Sequence, residues 1–128
     1  MASRDHKPAY LKYYGERSTV LTEKSTDDDV RRVYDEWAGE YDKDLNSAGY
    51  ACPKPMVEFL DNAIHEVFQG KIAKGDIRIM DAGAGTGLVG IELHKHDYSN
   101  VDALDISQEM LNEAKKTNVY SKIHLRPL

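Results

Sequence analysis

The sequence lacks several features that mark particular classes of protein. It has a single cysteine, Cys52, so it cannot form an internal disulfide, and we expect a reducing setting, cytoplasmic or nuclear. No apolar run approaches the roughly 18–20 residues that a membrane span needs, and the mean hydropathy is −0.62. No apolar segment typical of a signal peptide stands near the start. We therefore expect neither a membrane protein nor a disulfide-rich secreted domain.

Positive charge is also scarce. Lys and Arg together number 17 against 22 Asp and Glu, which leaves a formal net charge of −5. A protein that neutralises many phosphates needs clustered cations, so we expect no nucleic-acid partner. His94 and His96 lie two positions apart and cannot share one face of a helix, so we also expect no metal site.

What remains is the composition of an ordinary globular chain, with 128 residues, 41% hydrophobic and 30% charged. Its organisation changes twice along the chain. Residues 1–26 have no sustained hydrophobic period and are predicted to be a flexible arm, residues 27–70 a helical preamble or lid, and residues 71–128 an alternating strand and helix region.

The preamble is predicted to contain two helices. Capping and acidic residues at 25–29 precede a helical apolar period, which predicts a helix over about 27–44. Residues 46–55 contain Gly and Pro and predict a loop. A second helical period follows the loop, and Gly70 is expected to end it.

From residue 76 onward, short apolar segments alternate with helical ones. Strands are predicted at 77–80, 101–104 and 122–126, with helices at 88–96 and after the N-cap Ser107. The order βαβαβ with right-handed crossovers predicts an α/β fold, the N-terminal part of a doubly wound Rossmann-like parallel sheet.

A glycine-rich loop between the first strand and its helix fits two patterns. Residues 85–90 read Gly-x-Gly-x-x-Gly, with Asp105 at a spacing typical of dinucleotide-binding proteins. A second pattern begins earlier, at Asp81, and continues with alternating glycines as far as Gly87. A carboxylate at this position would repel a pyrophosphate, but it suits a cofactor with an ammonium and a sulfonium group, such as S-adenosylmethionine (SAM).

Asp105 ends the second strand and has a matching role in this hypothesis. The carboxyl ends of parallel strands meet at one edge of the sheet, where open α/β sheets bind ligands. The carboxylate of Asp105 offers acceptors for both ribose hydroxyls, and Ile106 offers an apolar edge for adenine.

The segments 81–89 and 104–111 resemble the first two motifs of class I SAM-dependent methyltransferases. Residues 33–42 resemble the helical preamble of the methyltransferase-like branch associated with the Williams–Beuren syndrome region, in which the preamble folds over the cofactor. The resemblance, which covers about residues 30–128, implies methyl transfer from SAM to an acceptor, with no assigned catalytic residue. The cofactor-binding positions that it implies are Asp81, Gly83, Ala84, Gly85, Gly87, Asp105 and Ile106, with Tyr34 and Tyr41 as lid contacts.

Class I methyltransferases have a seven-stranded sheet, whereas three strands are predicted here. The resemblance therefore implies an incomplete, truncated methyltransferase domain that binds SAM weakly and turns over little. Two alternatives stay open: a fragment of an NAD-binding oxidoreductase, and a non-catalytic fragment that folds with a partner. The acceptor and the oligomeric state are not indicated.

A thermal-shift experiment separates the two cofactor hypotheses. We expect SAM or S-adenosylhomocysteine to raise the melting temperature of the chain and NAD to leave it unchanged, because a ligand stabilises only the folded protein that binds it. A shift with NAD and none with either adenosyl ligand would favour the oxidoreductase.

Overall fold

The computed structural model describes residues 21–47 and 51–128. The predicted arm lies outside the described residues except for 21–26, which lead through a turn into the first helix. Within the described ranges, no helix is long and apolar enough to cross a membrane.

Helices precede the sheet in the described part of the chain and then alternate with its strands. A short 3₁₀ turn, Lys74–Asp76, leads into the first strand. The helices are α1 (Asp27–Trp37), α2 (Tyr41–Ser47), α3 (Pro53–Phe68), α4 (Leu88–Lys95) and α5 (Gln108–Lys116). The strands are β1 (Ile79–Ala82), β2 (Val101–Asp105) and β3 (Ile123–Leu125).

The three strands form one parallel sheet in the order β1, β2, β3. Ala82 lies opposite Leu104 and Asp105 lies opposite Leu125, so the strands end close to one another. Helix α4 connects β1 to β2, and α5 connects β2 to β3. The predicted fold class, α/β with part of a Rossmann-like parallel sheet, is confirmed.

The first predicted helix is divided into two, so the prediction of one helix over 27–44 was wrong. Helix α1 begins with a capping box, in which Thr26 and Asp29 each accept the other's backbone N–H. It ends at Trp37, where Glu40 N–H donates to the Trp37 carbonyl at 3.0 Å in a turn.

The break between α1 and α2 has a tertiary reason. Trp37 Nε1 donates to Asp44 Oδ2 at 2.8 Å, and the Trp37 ring meets the Tyr41 ring edge-on, with centroids 4.6 Å apart. In one straight helix, Trp37 and Asp44 would be about 10 Å apart along the axis, too far for this bond. The turn therefore allows the buried indole to pair its N–H.

Helix α3 begins earlier than predicted, inside the expected loop 46–55. Pro53 occupies the first turn of this helix. Backbone N–H groups in a first turn have no partner within the helix, so proline, which has no N–H, loses no hydrogen bond there. The helix ends at Phe68, and the next two residues, Gln69 and Gly70, take left-handed backbone angles with φ of 51° and 72°. Gly70 thus stands at the end of this helix, as predicted.

Within the described residues, the buried core contains two clusters, one near the start of β2 and one below the glycine loop. In the first, Val57 of α3 packs with Leu93, Tyr98 and Val101. In the second, Leu111 of α5 packs with Ala84 and Ala103. The second cluster lies directly beneath the glycine loop, since Ala84 belongs to that loop.

Two valines of α3 provide a test of the first cluster. Val57 is 1% exposed and Val67 is 73% exposed. We expect Val57→Ala to lower the free energy of unfolding by about 2 kcal/mol, because it removes two buried methyl groups and leaves a cavity. Val67→Ala, the matched control, should change it by less than about 0.5 kcal/mol. Chemical denaturation measures both, and equal effects would contradict this packing.

Candidate functional site

The Asp105 carboxylate joins the loops that follow β1 and β2. Its Oδ2 accepts the backbone N–H of Gly85 at 2.9 Å, and its Oδ1 accepts the backbone N–H of Ser107 at 2.9 Å. Ser107 is buried and caps α5, because its hydroxyl accepts from Met110 N–H at 3.1 Å. One side chain thus sets the positions of the glycine loop and of the start of α5.

The backbone N–H groups of the glycine loop are largely used within the protein. Gly83 and Ala84 both donate to the Leu104 carbonyl, at 2.8 and 3.0 Å, and Gly87 donates to the Ala84 carbonyl at 3.1 Å. Gly85 donates to Asp105, as described above. A dinucleotide-binding loop instead directs its N–H groups at a pyrophosphate.

Positive backbone angles give this loop its path. The φ angles are 75° at Gly83, 57° at Gly85 and 97° at Gly87, all in the region that favours glycine. A Cβ atom at Gly85 would meet nothing within 4 Å, which means that the backbone there borders open space.

The open space is a cavity of about 420 Å³ at the strand ends. Among its described lining residues, the charged side chains are the two acids Asp27 and Asp105, with no Lys, Arg or His. The predicted site residues that line it are Tyr34, Tyr41, Gly83, Gly85, Asp105 and Ile106. The structure therefore brings residues of α1, α2, the glycine loop and the end of β2 together around one cavity.

Three predicted site residues lie outside this lining. Ala84 is 8% exposed and belongs to the core beneath the loop. Gly87 caps α4 and packs against Thr117 and Tyr120. Asp81 is half-buried next to the loop. The roles of these three residues toward a cofactor stay predictions.

Asp81 has a specific partner at this position. Its Oδ2 accepts the Tyr120 hydroxyl at 2.7 Å. Burial raises the pKa of the Asp81 carboxyl above its usual range, the Tyr120 hydrogen bond opposes this rise, and the nearby Asp105 adds to it. The ionised form of Asp81 is therefore costly in this protein.

Hydrogen bonds connect helices α1 and α2 to the loops that follow β1 and β2. Asp42 Oδ1 accepts the hydroxyl of Thr86 in the glycine loop. Asp35 Oδ1 accepts the hydroxyl of Ser107, and Arg31 Nε donates to the Ile106 carbonyl at 3.2 Å. These contacts hold the preamble over the cavity and place Tyr34 and Tyr41 in its wall.

Five residues that line the cavity are not among the predicted site residues. The additional residues are Asp27, Val30, Met110, Pro127 and Leu128. Among these five, only Met110 lies in one of the motif segments, 104–111, and Asp27 is predicted only as one of the acidic residues at the start of a helix. Tyr120 was also missed, because it lies 39 residues from Asp81 and no local pattern connects the two.

Part of the chain matches known proteins in sequence. Residues 79–127, which contain both strand ends and the glycine loop, match a family described as "Methyltransferase domain". Through this match the chain is similar to class I methyltransferase-like proteins. Over 92 residues it is 30% identical to Methyltransferase-like protein 27 of Homo sapiens, an alignment that covers 72% of this chain and 35% of that protein. This methyltransferase-like chain thus spans about a third of the length of the curated relative that it matches.

In this methyltransferase-like chain, Asp81 and Asp61 each accept a tyrosine hydroxyl. We expect their replacement by Asn to have opposite effects on stability. We expect Asp81→Asn to raise the free energy of unfolding at neutral pH, because the raised pKa of Asp81 makes its charge unfavourable in the folded state. The gain should disappear below the ordinary value of 3.8, where both states hold the proton. Urea denaturation between pH 3 and pH 8 measures the difference.

Asp61 is the control, since its pKa is lowered by hydrogen bonds from Tyr98 and then Lys74. Its charge favours the folded state above pH 3.8, and that stability is lost as the pH falls through the lowered pKa. Asp61→Asn should therefore lower the free energy of unfolding at neutral pH. Changes of the same sign in both variants would contradict this account.

Proposed function

We propose that this chain binds SAM in the cavity at the strand ends, as part of an enzyme that transfers a methyl group to an acceptor. The observation that carries the proposal is the composition of the cavity wall. Glycine backbone forms one side, and the charged side chains found in the described lining are acids. A cationic ligand without phosphate suits such a wall.

The size and shape of the site support SAM. A volume of about 420 Å³ lies within the range of cofactor and drug-sized sites, roughly 300–1,000 Å³. At Gly85 no side chain intrudes on the space. Ile106 is half-buried in the wall and offers an apolar surface for adenine.

Asp105 retains capacity for a ligand. Each of its carboxylate oxygens accepts one backbone N–H, and each oxygen has a second lone pair. Two ribose hydroxyls could use these remaining acceptors. The residue would then serve both the loop and the ligand.

The alternative of an NAD-dependent oxidoreductase has less support. A pyrophosphate needs free backbone N–H groups, and those of Gly83, Ala84, Gly85 and Gly87 are already paired. The acids near the loop would also repel it. The literal Gly-x-Gly-x-x-Gly pattern is therefore weak support for that activity.

SAM would supply a methyl group on a positively charged sulfur, and S-adenosylhomocysteine would be the leaving group when a nucleophile of the acceptor bonds to that methyl carbon. The contribution of the protein in our proposal is to orient the reactants and to cover the cavity with α1 and α2. Tyr34 and Tyr41 belong to this cover. We assign no catalytic base. The acceptor is a small molecule or a protein, and we propose a cytoplasmic or nuclear setting without a nucleic-acid partner.

Isothermal titration calorimetry with SAM and S-adenosylhomocysteine tests the proposal. We expect weak binding by the wild-type chain and an affinity lower by roughly 10- to 150-fold in Asp105→Ala. This range corresponds to about 1.5–3 kcal/mol, the value of a hydrogen bond to a charged group. The loss also includes loosening of the loop that Asp105 holds.

Asp102→Ala is the matched control for this experiment. Asp102 lies on the same strand, but its Oδ2 is 3.1 Å from His124 Nε2 and it does not line the cavity. We expect its affinity for both ligands to equal that of the wild type. Unchanged affinity in Asp105→Ala would remove Asp105 from the ribose role, and binding of NAD instead of SAM would refute the proposed function.

A further inference from the structure

The Tyr120 side chain lies in a slot between two glycines. Tyr120 stands between α5 and β3, and its ring passes beside Gly87 and Gly90. A Cβ atom built at Gly90 would lie 2.3 Å from the Tyr120 Oη, and one at Gly87 would lie 3.2 Å from the ring carbon Cε2. The first distance is shorter than any real contact, so the ring occupies its place only because residue 90 has no side chain.

The Tyr120 hydroxyl is fixed by a hydrogen bond beside the start of α4. It donates to Asp81 Oδ2 at 2.7 Å, and it lies next to Gly90. The phenol is half-buried, and burial together with the Asp81 charge raises the pKa of Tyr120 well above its usual range. The hydroxyl therefore keeps its proton at neutral pH and acts there as a hydrogen-bond donor.

The other oxygen of Asp81 remains available. No hydrogen bond to Asp81 Oδ1 is found within the described residues, and no fully buried side-chain oxygen or nitrogen there lacks a partner. Oδ1 therefore keeps contact with solvent. It is the oxygen that can accept from a ligand.

We propose that Tyr120 is the positioning residue of the Asp81 carboxylate, holding Oδ2 against the start of α4 so that Oδ1 can accept from the ammonium of the ligand. The inference rests on the proposed function for the identity of that ligand. It also gives Gly90 a role: the third glycine of the Gly-x-Gly-x-x-Gly pattern makes room for a phenol, and no pyrophosphate is needed to explain it.

The charge state of Asp81 follows from the same contacts. Tyr120, from the segment before β3, and Asp105, at the end of β2, are the titratable groups that act on it in the described structure. Burial and Asp105 raise the pKa of Asp81, while the Tyr120 hydroxyl lowers it. Loss of the hydroxyl would leave Asp81 protonated to a higher pH, and a protonated carboxyl accepts an ammonium proton poorly.

Tyr120→Phe removes the hydroxyl and keeps the ring in its slot. The first measurement is an NMR titration of the Asp81 carboxyl carbon in the ligand-free chain, for which we expect a midpoint higher by roughly one pH unit than in the wild type. The second is the affinity for S-adenosylhomocysteine between pH 5 and pH 8. Its fall at low pH should begin at a correspondingly higher pH in the variant.

Tyr98→Phe is the matched control. Tyr98 is a buried phenol that also donates to a carboxylate, Asp61 Oδ1, at 2.6 Å, but Asp61 belongs to α3 and Tyr98 precedes the start of β2, so this pair is not at the carboxyl ends of the strands. We expect Tyr98→Phe to leave the Asp81 midpoint and the pH dependence of binding unchanged. A merely structural role of Tyr120 would lower affinity equally at every pH, without moving either midpoint.

An unchanged Asp81 midpoint in Tyr120→Phe would overturn the inference. If that variant does not fold, Gly90→Ala displaces the same ring and should raise the Asp81 midpoint, whereas Gly39→Ala, where a Cβ meets nothing within 4 Å, should not. A wild-type chain that binds no S-adenosylhomocysteine at any pH would refute the proposed function separately. The ligand-free titration still decides the role of Tyr120 in that case.

Discussion

The carboxylate of Asp105 is the constraint on which the site depends. It accepts one backbone N–H from the loop after β1 and another from the loop after β2. Without an acceptor there, Gly85 and Ser107 would each lose a hydrogen bond to a charged group, which is worth more than a neutral one. The pairing of β1 with β2 brings these loops together, and Asp105 then sets the distance between them. The cavity wall is the result, because Gly83, Gly85 and Ile106 all lie on these loops.

A second carboxylate, Asp81, shows that similar contacts have different energetic consequences. Asp81 and Asp61 each accept a tyrosine hydroxyl. Asp61 also meets Lys74 Nζ at 2.9 Å, and the pKa of Asp61 is lowered. Burial and the charge of Asp105 both disfavour the ionised form of Asp81, so the pKa of Asp81 is raised. Acids that are expensive to ionise are concentrated at functional sites, where a ligand of opposite charge offsets the cost.

The preamble adds the third wall of the cavity. Its helices are short, and the turn between them pairs the Trp37 indole with Asp44. The same turn directs Asp35 and Asp42 to different strand ends, where they accept the hydroxyls of Ser107 and Thr86. A single straight helix would not reach both contacts and keep the indole paired. The break in the helix is therefore part of how the cavity is covered.

The sequence by itself determined the alternation of strands and helices from residue 76 onward, the glycine loop and the two acids at the strand ends, because each depends on residues close together in the chain. It also indicated the Gly70 stop and the Ser107 cap for the same reason. Only the tertiary structure decided which oxygens and N–H groups are already paired. The Tyr120 phenol reaches Asp81 across 39 positions, and Asp42 reaches Thr86 across 44. Such contacts follow from packing of the sheet and helices, and a local sequence pattern cannot predict them.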